Sequence, residues 1–386
     1  MQERDLCRWR LIEDFQDALA KAAQAYPIHP TFSERRRFLT YTNYLSLFLF
    51  GLLNPVVRTM RGLCEASQLP RVQAQICQRP VSLGSFSAAQ HVLDPELLEK
   101  VFGDLSEQLA ARQPGDSRLL TRKWMAHDGT MWSALPRMAW ALYGGGPNGD
   151  SRGVKLHLSF HLLEDKPTKA TVRPGKDCER AVWQEHWQEG DAFVGDRYFG
   201  EDHRLLAKLQ IKGCAYVLRL REQSTINVEE ELEVSPADRK AGVVRQAWAR
   251  LGASDRTRSV RVRVVWVEAD GHSLILVTNL SPEELPGELV SLLYRKRWQV
   301  ELFFRWIKCI LGCRHWLAES QEGVTIQIYL ALIAAVLLQL YTGQRPSRRM
   351  MELIQFYLLG VATLEDVTAG LQRELNRLAA KSKNPA

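Results

Sequence analysis

This 386-residue chain lacks most of what marks a secreted, disulfide-stapled or membrane-spanning protein. Cysteine is scarce: seven residues, an odd number at irregular spacings, argue against a disulfide framework and for a reducing compartment. Cys309, Cys313 and His315 invite a zinc reading. Their first pair is only one helical turn apart, however, and no second Cys/His pair stands at finger spacing. No apolar run is long enough to cross a bilayer. The longest, Ile328 to Leu338, sits between Gln327 and Gln339 and reads as a buried helix. The first residues are charged from the start and hold no apolar core of a signal peptide, so a cytoplasmic, membrane-free protein is expected. A dominant charge of one sign is also missing. Against 44 Asp+Glu stand 51 Lys+Arg, a net +7, which suits an anionic partner without requiring one.

Glycine and proline are absent from Leu292 to Leu311, and that stretch is predicted as a helix. At about 100° per residue, Tyr294, Arg297, Glu301 and Lys308 fall within an arc of roughly 60°. Trp298 and Arg305 lie beside the arc, and Leu302, Phe303, Trp306 and Ile310 gather on the side expected to bury. A solvated face usually mixes signs. This one carries a single carboxylate among cations, a phenol and an indole, the composition of a surface that meets a polyanion.

Taken in order, residues 1–112 read as helical, with breaks at Pro27, Pro30, Pro55, Pro70 and Pro80. Arg35, Arg36, Arg37, Arg58, Arg61, Arg71 and Arg79 have few acids near them, so this region is expected to bind DNA or to dimerise. Ser82–Ala88 reads as a small polar linker. Residues 113–342 read as a mixed α/β domain. Leu119–His127 is strand-like and stops at Asp128-Gly129; a second strand lies within Met131–Leu142; Val154–Leu162 alternates cleanly. A helix near Cys178–Gln188 leads to Ala192–Gly195, short and apolar like a buried parallel strand, which ends at Asp196. Cys214–Leu220 is the next strand. Residues 221–272 read as a β-rich insertion, and 343–386 as a helical tail.

Two acids, Asp128 and Asp196, thus end strands that can lie side by side, and Glu301 lies on a helix that packs on the same sheet. Converging carboxylates repel and stay ionised only with cations between them. Oxygen-only ligands suit Mg²⁺ or Mn²⁺. Two such ions can activate a nucleophile and stabilise a leaving oxygen, which is phosphoryl-transfer chemistry.

Tyr294-x2-Arg297-x3-Glu301-x6-Lys308 resembles the Y-R-E-K signature of bacterial DDE transposases of the insertion-sequence-four type. Ala126–Thr130 is similar to that family's first-aspartate strand and Val194–Phe199 to its second-aspartate segment, with Tyr198 where the family often has glycine. The resemblance covers roughly 115 to 340 and implies an RNase H-like core interrupted by a β-rich insertion. It implies that Asp128, Asp196 and Glu301 bind two Mg²⁺ (or Mn²⁺) ions, and that Tyr294, Arg297 and Lys308 contact phosphates. From their place beside the same helical face, Trp298 is expected to stack on an end base of the DNA and Arg305 to meet the DNA near it. The implied activity is cleavage at insertion-sequence ends and strand transfer into target DNA. The partners would be double-stranded DNA, as terminal inverted repeats and target, and a second copy of the chain. Two other readings stay open: a transposase-derived DNA-binding protein that does not cut, and an RNase H-like nuclease that does not join. His127 and His157 fall nearest the acids and are given no catalytic role.

Overall fold

Before Trp124 the described residues are mainly helical, and polar caps set where several of the helices begin. In the computed structural model these are α1 (Arg10–Ala25), α2 (Tyr41–Leu53), α3 (Met60–Ala66), α4 (Pro70–Val72, running on as a π-turn through Gln73–Cys77), α5 (Leu83–Ala89) and α6 (Glu96–Gln108). The structure describes residues 10–25, 39–109, 117–146, 149–252, 261–269, 271–309, 312, 316–343, 345–359 and 361–383. The arginines at 35–37, and Cys313 and His315, lie outside these. Thr40, Thr59 and Ser82 each accept a hydrogen bond from a backbone N–H three residues on, capping α2, α3 and α5. The expected linker at 82–88 is therefore a helix. Its serine cap and buried Phe86, 4.7 Å from the Tyr44 ring, outweigh its small side chains.

Ten strands follow among the described residues: β1 (Trp124–Ser133), β2 (Leu142–Gly146), β3 (Gly149–His161), β4 (Lys166–Pro174), β5 (Ala192–Gly195), β6 (Ala215–Arg219), β7 (Ile226–Leu232), β8 (Val243–Leu251), β9 (Arg261–Ala269) and β10 (His272–Thr278). The chain divides into two compact units, one of residues 1–109, 132–152 and 305–386, the other of 110–131 and 153–304.

In the second unit β3 runs antiparallel to β4, and β1 pairs in parallel with β5, as β5 does with β6. Leu162 N donates to Trp124 O at 2.9 Å, joining the end of β3 to the start of β1. The order β4-β3-β1-β5-β6, with α7 (Glu179–Gln184), α8 (Arg197–Gly200) and α9 (His203–Ile211) in the crossovers, is the RNase H-like arrangement. Three expectations are corrected. Ser117–Thr121 is a 3₁₀ turn, β1 runs on through Asp128 to Ser133, and the second strand expected within Met131–Leu142 is replaced by the end of β1, a 3₁₀ turn at Ala139–Ala141 and the start of β2. Strand β4 was not expected, because Lys166–Pro174 lacks apolar alternation and contains two prolines; an outer strand with a bulge tolerates both.

The β-rich stretch adds to this sheet. Strand β10 pairs with β6 on one side and β9 on the other, and β8 and β7 follow, all antiparallel. Ion pairs lace β7 to its neighbours: Arg250 to Glu229 at 2.8 Å, Arg261 to Glu230 at 2.6 Å, and Arg245 to Glu231. Between β7 and β8 lies α10 (Pro236–Lys240), and its Asp238 holds the start of α11 (Gly287–Lys296). One Asp238 oxygen accepts from Glu288 N at 2.7 Å; the other accepts from Ser235 N at 3.1 Å and Gln246 Nε2 at 3.3 Å. Asp238→Ala would strand those donors and remove a cap. We expect it to cost about 2–3 kcal/mol, measured as a lower urea midpoint at unchanged slope; an unshifted midpoint would show that α11 needs no such anchor.

After α11 comes α12 (Trp298–Cys309). The first unit ends with α13 (Gln321–Thr342), α14 (Arg348–Leu358) and α15 (Leu364–Lys383). The window Gln321–Leu340 is long and apolar enough to cross a membrane, yet 89% of it is buried inside the protein. Within that unit Tyr329 meets Phe102 at 6.2 Å between ring centres.

Candidate active site

Register brings the two aspartates together. The β1–β5 ladder pairs Trp124 with Ala192, Met125 with Phe193 and Ala126 with Val194. Two residues further in the same frame, Asp128 and Asp196 come level, just past the paired residues. Asp128 accepts from Gly129 N at 2.8 Å. Asp196 is the N-cap of α8 and accepts from Tyr198 N at 2.9 Å. Tyr198 has ordinary right-handed backbone within α8, so the glycine common in similar sequences is not needed here. The Arg180 guanidinium lies 4.1 Å from the Tyr198 ring centre.

The predicted single helix is two. It tightens at Arg297, whose N–H bonds to Leu293 O and Tyr294 O, and restarts as α12. On α12 Val300, Phe303, Phe304 and Ile307, at i, i+3, i+4 and i+7, are buried, and Trp306 is buried beside them as expected. Phe303 packs 5.5 Å from Phe160 of β3. Leu302, expected to bury, is 42% exposed beside Trp298 at 49%, so these two form an uncovered apolar pair one turn apart.

Arg297 links the helices to the sheet. Its Nη2 donates to Glu301 Oε1 at 2.7 Å and its Nη1 lies 3.6 Å from Asp128 Oδ2. The guanidinium carbon is 5.8 Å from the Tyr294 ring centre. The two carboxylates expected to share a metal thus share one guanidinium. Lys308, about two turns beyond Glu301, places Nζ 4.7 Å from the centre of the Trp132 ring, and Arg305 is exposed.

A fourth acid escaped the sequence reading. A Cβ built on Gly129 would fall 2.5 Å from Glu179 Oε1, so the tip of the Glu179 side chain lies directly beside Asp128's neighbour. Lys155 Nζ pairs with Glu179 at 2.9 Å. No spacing rule points to Glu179, since only the fold carries the start of α7 to β1.

Burial pushes the Asp128 carboxyl up to about 7; Asp196 and Glu179 add to the rise, and the Gly129 N–H and Arg297 oppose it. Behind it, His127 points into the apolar layer, 5.9 Å from the Trp183 ring and 6.2 Å from His157. Burial holds His127 well below its usual value and His157 down at about 4.

These shifts oppose each other in pH. The folded state binds the Asp128 proton more tightly than the unfolded chain does. Its contribution to stability is therefore full below about pH 4 and lost as pH rises through 7. The histidines bind protons more weakly when folded, so theirs is present above about pH 6.5 and lost as pH falls towards 4. In buffer with chelator, Asp128→Asn should melt higher than the parent at pH 8 and by a clearly smaller margin at pH 5. Identical melting at both pH values would mean that the carboxyl is not held protonated.

Residues 121–337 match the family described as the transposase DDE domain. A putative transposase for insertion sequence element IS4SA of Synechocystis sp. is 36% identical over 326 residues, 82% of this chain and 83% of that protein. The chain belongs to the DDE transposases. A probable transposase for insertion sequence element IS5377 of Geobacillus stearothermophilus is 26% identical over 204 residues, covering 53% of the chain and 52% of the relative. A putative transposase of Sinorhizobium fredii is 26% identical over 213 residues, 54% and 58% respectively. The chain thus aligns with little more than half the length of these last two. Among solved structures, the piggyBac transposase in a synaptic complex with hairpin DNA has TM-score 0.43 at 10% identity over 90% of this chain and 77% of its own, too distant to carry an argument.

In a DDE transposase a divalent ion is the natural occupant of such an acidic centre. As they stand, no three acidic, histidine or cysteine side chains among the described residues are placed to hold one. The donor chemistry nevertheless fits: Asp128, Asp196 and Glu301 offer hard carboxylate oxygens alone, as Mg²⁺ and Mn²⁺ prefer. Between Asp128 and Glu301 lies the Arg297 cation.

Proposed function

We propose that this transposase cleaves DNA at the ends of its insertion sequence and joins the freed 3′-hydroxyl to target DNA, with Asp128, Asp196 and Glu301 as its metal-binding triad. The observation that carries this is that Asp128, level with Asp196 on the adjacent parallel strand, meets the helix-borne Glu301 through one arginine. Two Mg²⁺ or Mn²⁺ ions would supply activation of the attacking oxygen and stabilisation of the leaving one. The chain's own residues do the rest. Asp128 and Asp196, fixed by the ladder, hold their oxygens on one side of the reacting phosphate, and Glu301 closes the other side from α12. Tyr294, Arg297 and Lys308 bind backbone phosphates, with Arg297 able to grip one through two parallel hydrogen bonds. Trp298 and Arg305, exposed on the same helix, meet the DNA beside them, Trp298 by stacking on an end base.

The helices before β1 are a second DNA contact in this proposal. Arg58, Arg61, Arg71 and Arg79 are exposed there, and Glu65 is the sole acid between Tyr41 and Leu93. Joining two ends calls for two copies of the chain on the DNA.

The test is Mg²⁺- or Mn²⁺-dependent cleavage of a labelled duplex carrying the element's own ends. Cutting followed by joining supports the proposal. Tight end-binding without cutting under any divalent ion would make the protein a transposase-derived DNA-binding protein, and cutting without joining would make it a nuclease.

A further inference from the structure

We propose that Arg297 is an internal competitor of the divalent ion: it occupies the gap between Asp128 and Glu301 until a DNA phosphate draws it out, so that metal binding and DNA binding help each other. The inference rests on the triad reading above and adds to it a coupling between the two ligands.

Three observations carry it. Among the described residues Arg297 is the ion-pair partner of both Asp128 and Glu301, at 3.6 and 2.7 Å. Its side chain is only 12% exposed, and its Nε is buried without a hydrogen-bond partner, so the fork is spent on carboxylates while one donor stays unsatisfied. Its backbone is the joint between α11 and α12, where the helix tightens. A side chain at a joint reaches a new partner by rotating its own torsions, with neither helix displaced.

A planar guanidinium has two good partners here, a carboxylate pair or a phosphate, and cannot take both with the same hydrogen bonds. A divalent ion between Asp128 and Glu301 also competes for the oxygens that Arg297 holds and repels its charge. Phosphate and metal therefore act on the same equilibrium in the same direction. By linkage, each raises the affinity for the other by the same factor. Glu179 lacks this conflict, because Lys155 already pairs with it at 2.9 Å.

The experiment is Mn²⁺ binding to the full chain, followed through the spectroscopic signal of free Mn²⁺, with and without a pre-cut duplex of the element's end. For the parent, DNA should tighten Mn²⁺ binding about tenfold, within the usual span of coupling energies. Arg297→Gln, checked for folding by its melting curve, should bind Mn²⁺ about tenfold more tightly than the parent without DNA and gain less than twofold from DNA. Adding Asp128→Asn to Arg297→Gln should erase the gain, which locates it at the acidic centre. Arg297→Lys keeps the charge without the fork and should fall between. Equal Mn²⁺ affinity of the parent with and without DNA would overturn the inference, and needs no variant. So would Arg297→Gln binding within twofold of the parent. Failure of the triad reading looks different: neither protein would bind Mn²⁺ under any condition, and the parent would not cut.

Discussion

Glu301→Gln should bind the element's ends like the parent and cut them at least about 10³-fold more slowly. The substitution keeps the shape of the side chain and removes the charge that a hard cation needs. Loss of metal-assisted charge stabilisation is worth several kcal/mol, and each 1.4 kcal/mol is a factor of ten in rate. The structure adds a control. Glu301 accepts from Arg297 Nη2 at 2.7 Å, and glutamine's carbonyl oxygen can still accept that bond, so the fold should hold. Band-shift titration separates binding from chemistry, and single-turnover cleavage in Mg²⁺ reads the rate. Parental cleavage by Glu301→Gln would remove Glu301 from the triad.

The second large effect is expected at a residue that no motif marks. Gly200 closes α8, the short helix capped by Asp196, and lies against β6. A Cβ there would fall 2.1 Å from Arg219 O and 2.8 Å from Arg219 C. Those are backbone atoms of a buried parallel strand, and they cannot swing aside as a side chain would. Gly200→Ala must therefore push α8 away from β6 and carry Asp196 with it. Overpacking of this kind costs about 3 kcal/mol, at the upper end of the usual range. We expect a lower melting temperature together with loss of cleavage. The required glycine is at 200, and the reason is space rather than backbone dihedral. Alanine tolerated with parental melting and cleavage would show that the α8–β6 contact is not the constraint.

Much of this was legible in the sequence, where periodicity is strong or a side chain has a chemical duty. Val154–Leu162 announced a strand by alternation and Ala192–Gly195 a buried one by its short apolar run, and the placement of Asp128 and Asp196 on neighbouring strands followed from where those runs stop. What escaped depends on distant partners. Strand β4 is defined by pairing with β3 and not by its own pattern. The 82–88 helix is defined by a cap and by Phe86 finding Tyr44. Glu179 reaches Asp128 only through the crossover that brings α7 to β1. Leu302 was assigned to the wrong face because an apolar stripe read from spacing alone can be drawn through either of two neighbouring rows. Arg297 was read as a residue for binding phosphate, and the anions it holds here are the protein's own carboxylates.

Strand β7 sits at the end of the sheet with no strand beyond it among the described residues, and its residues are mostly exposed. An open edge of backbone N–H and C=O groups invites the same edge of another molecule. The run Glu229-Glu230-Glu231 answers that hazard. Each glutamate is tied to an arginine of its own sheet, and an incoming copy would set its own row of glutamates against this one. The ion pairs contribute little to the stability of one molecule, as exposed pairs generally do. Their value is in keeping molecules apart, so that a shared β-edge does not decide which surfaces of two copies meet.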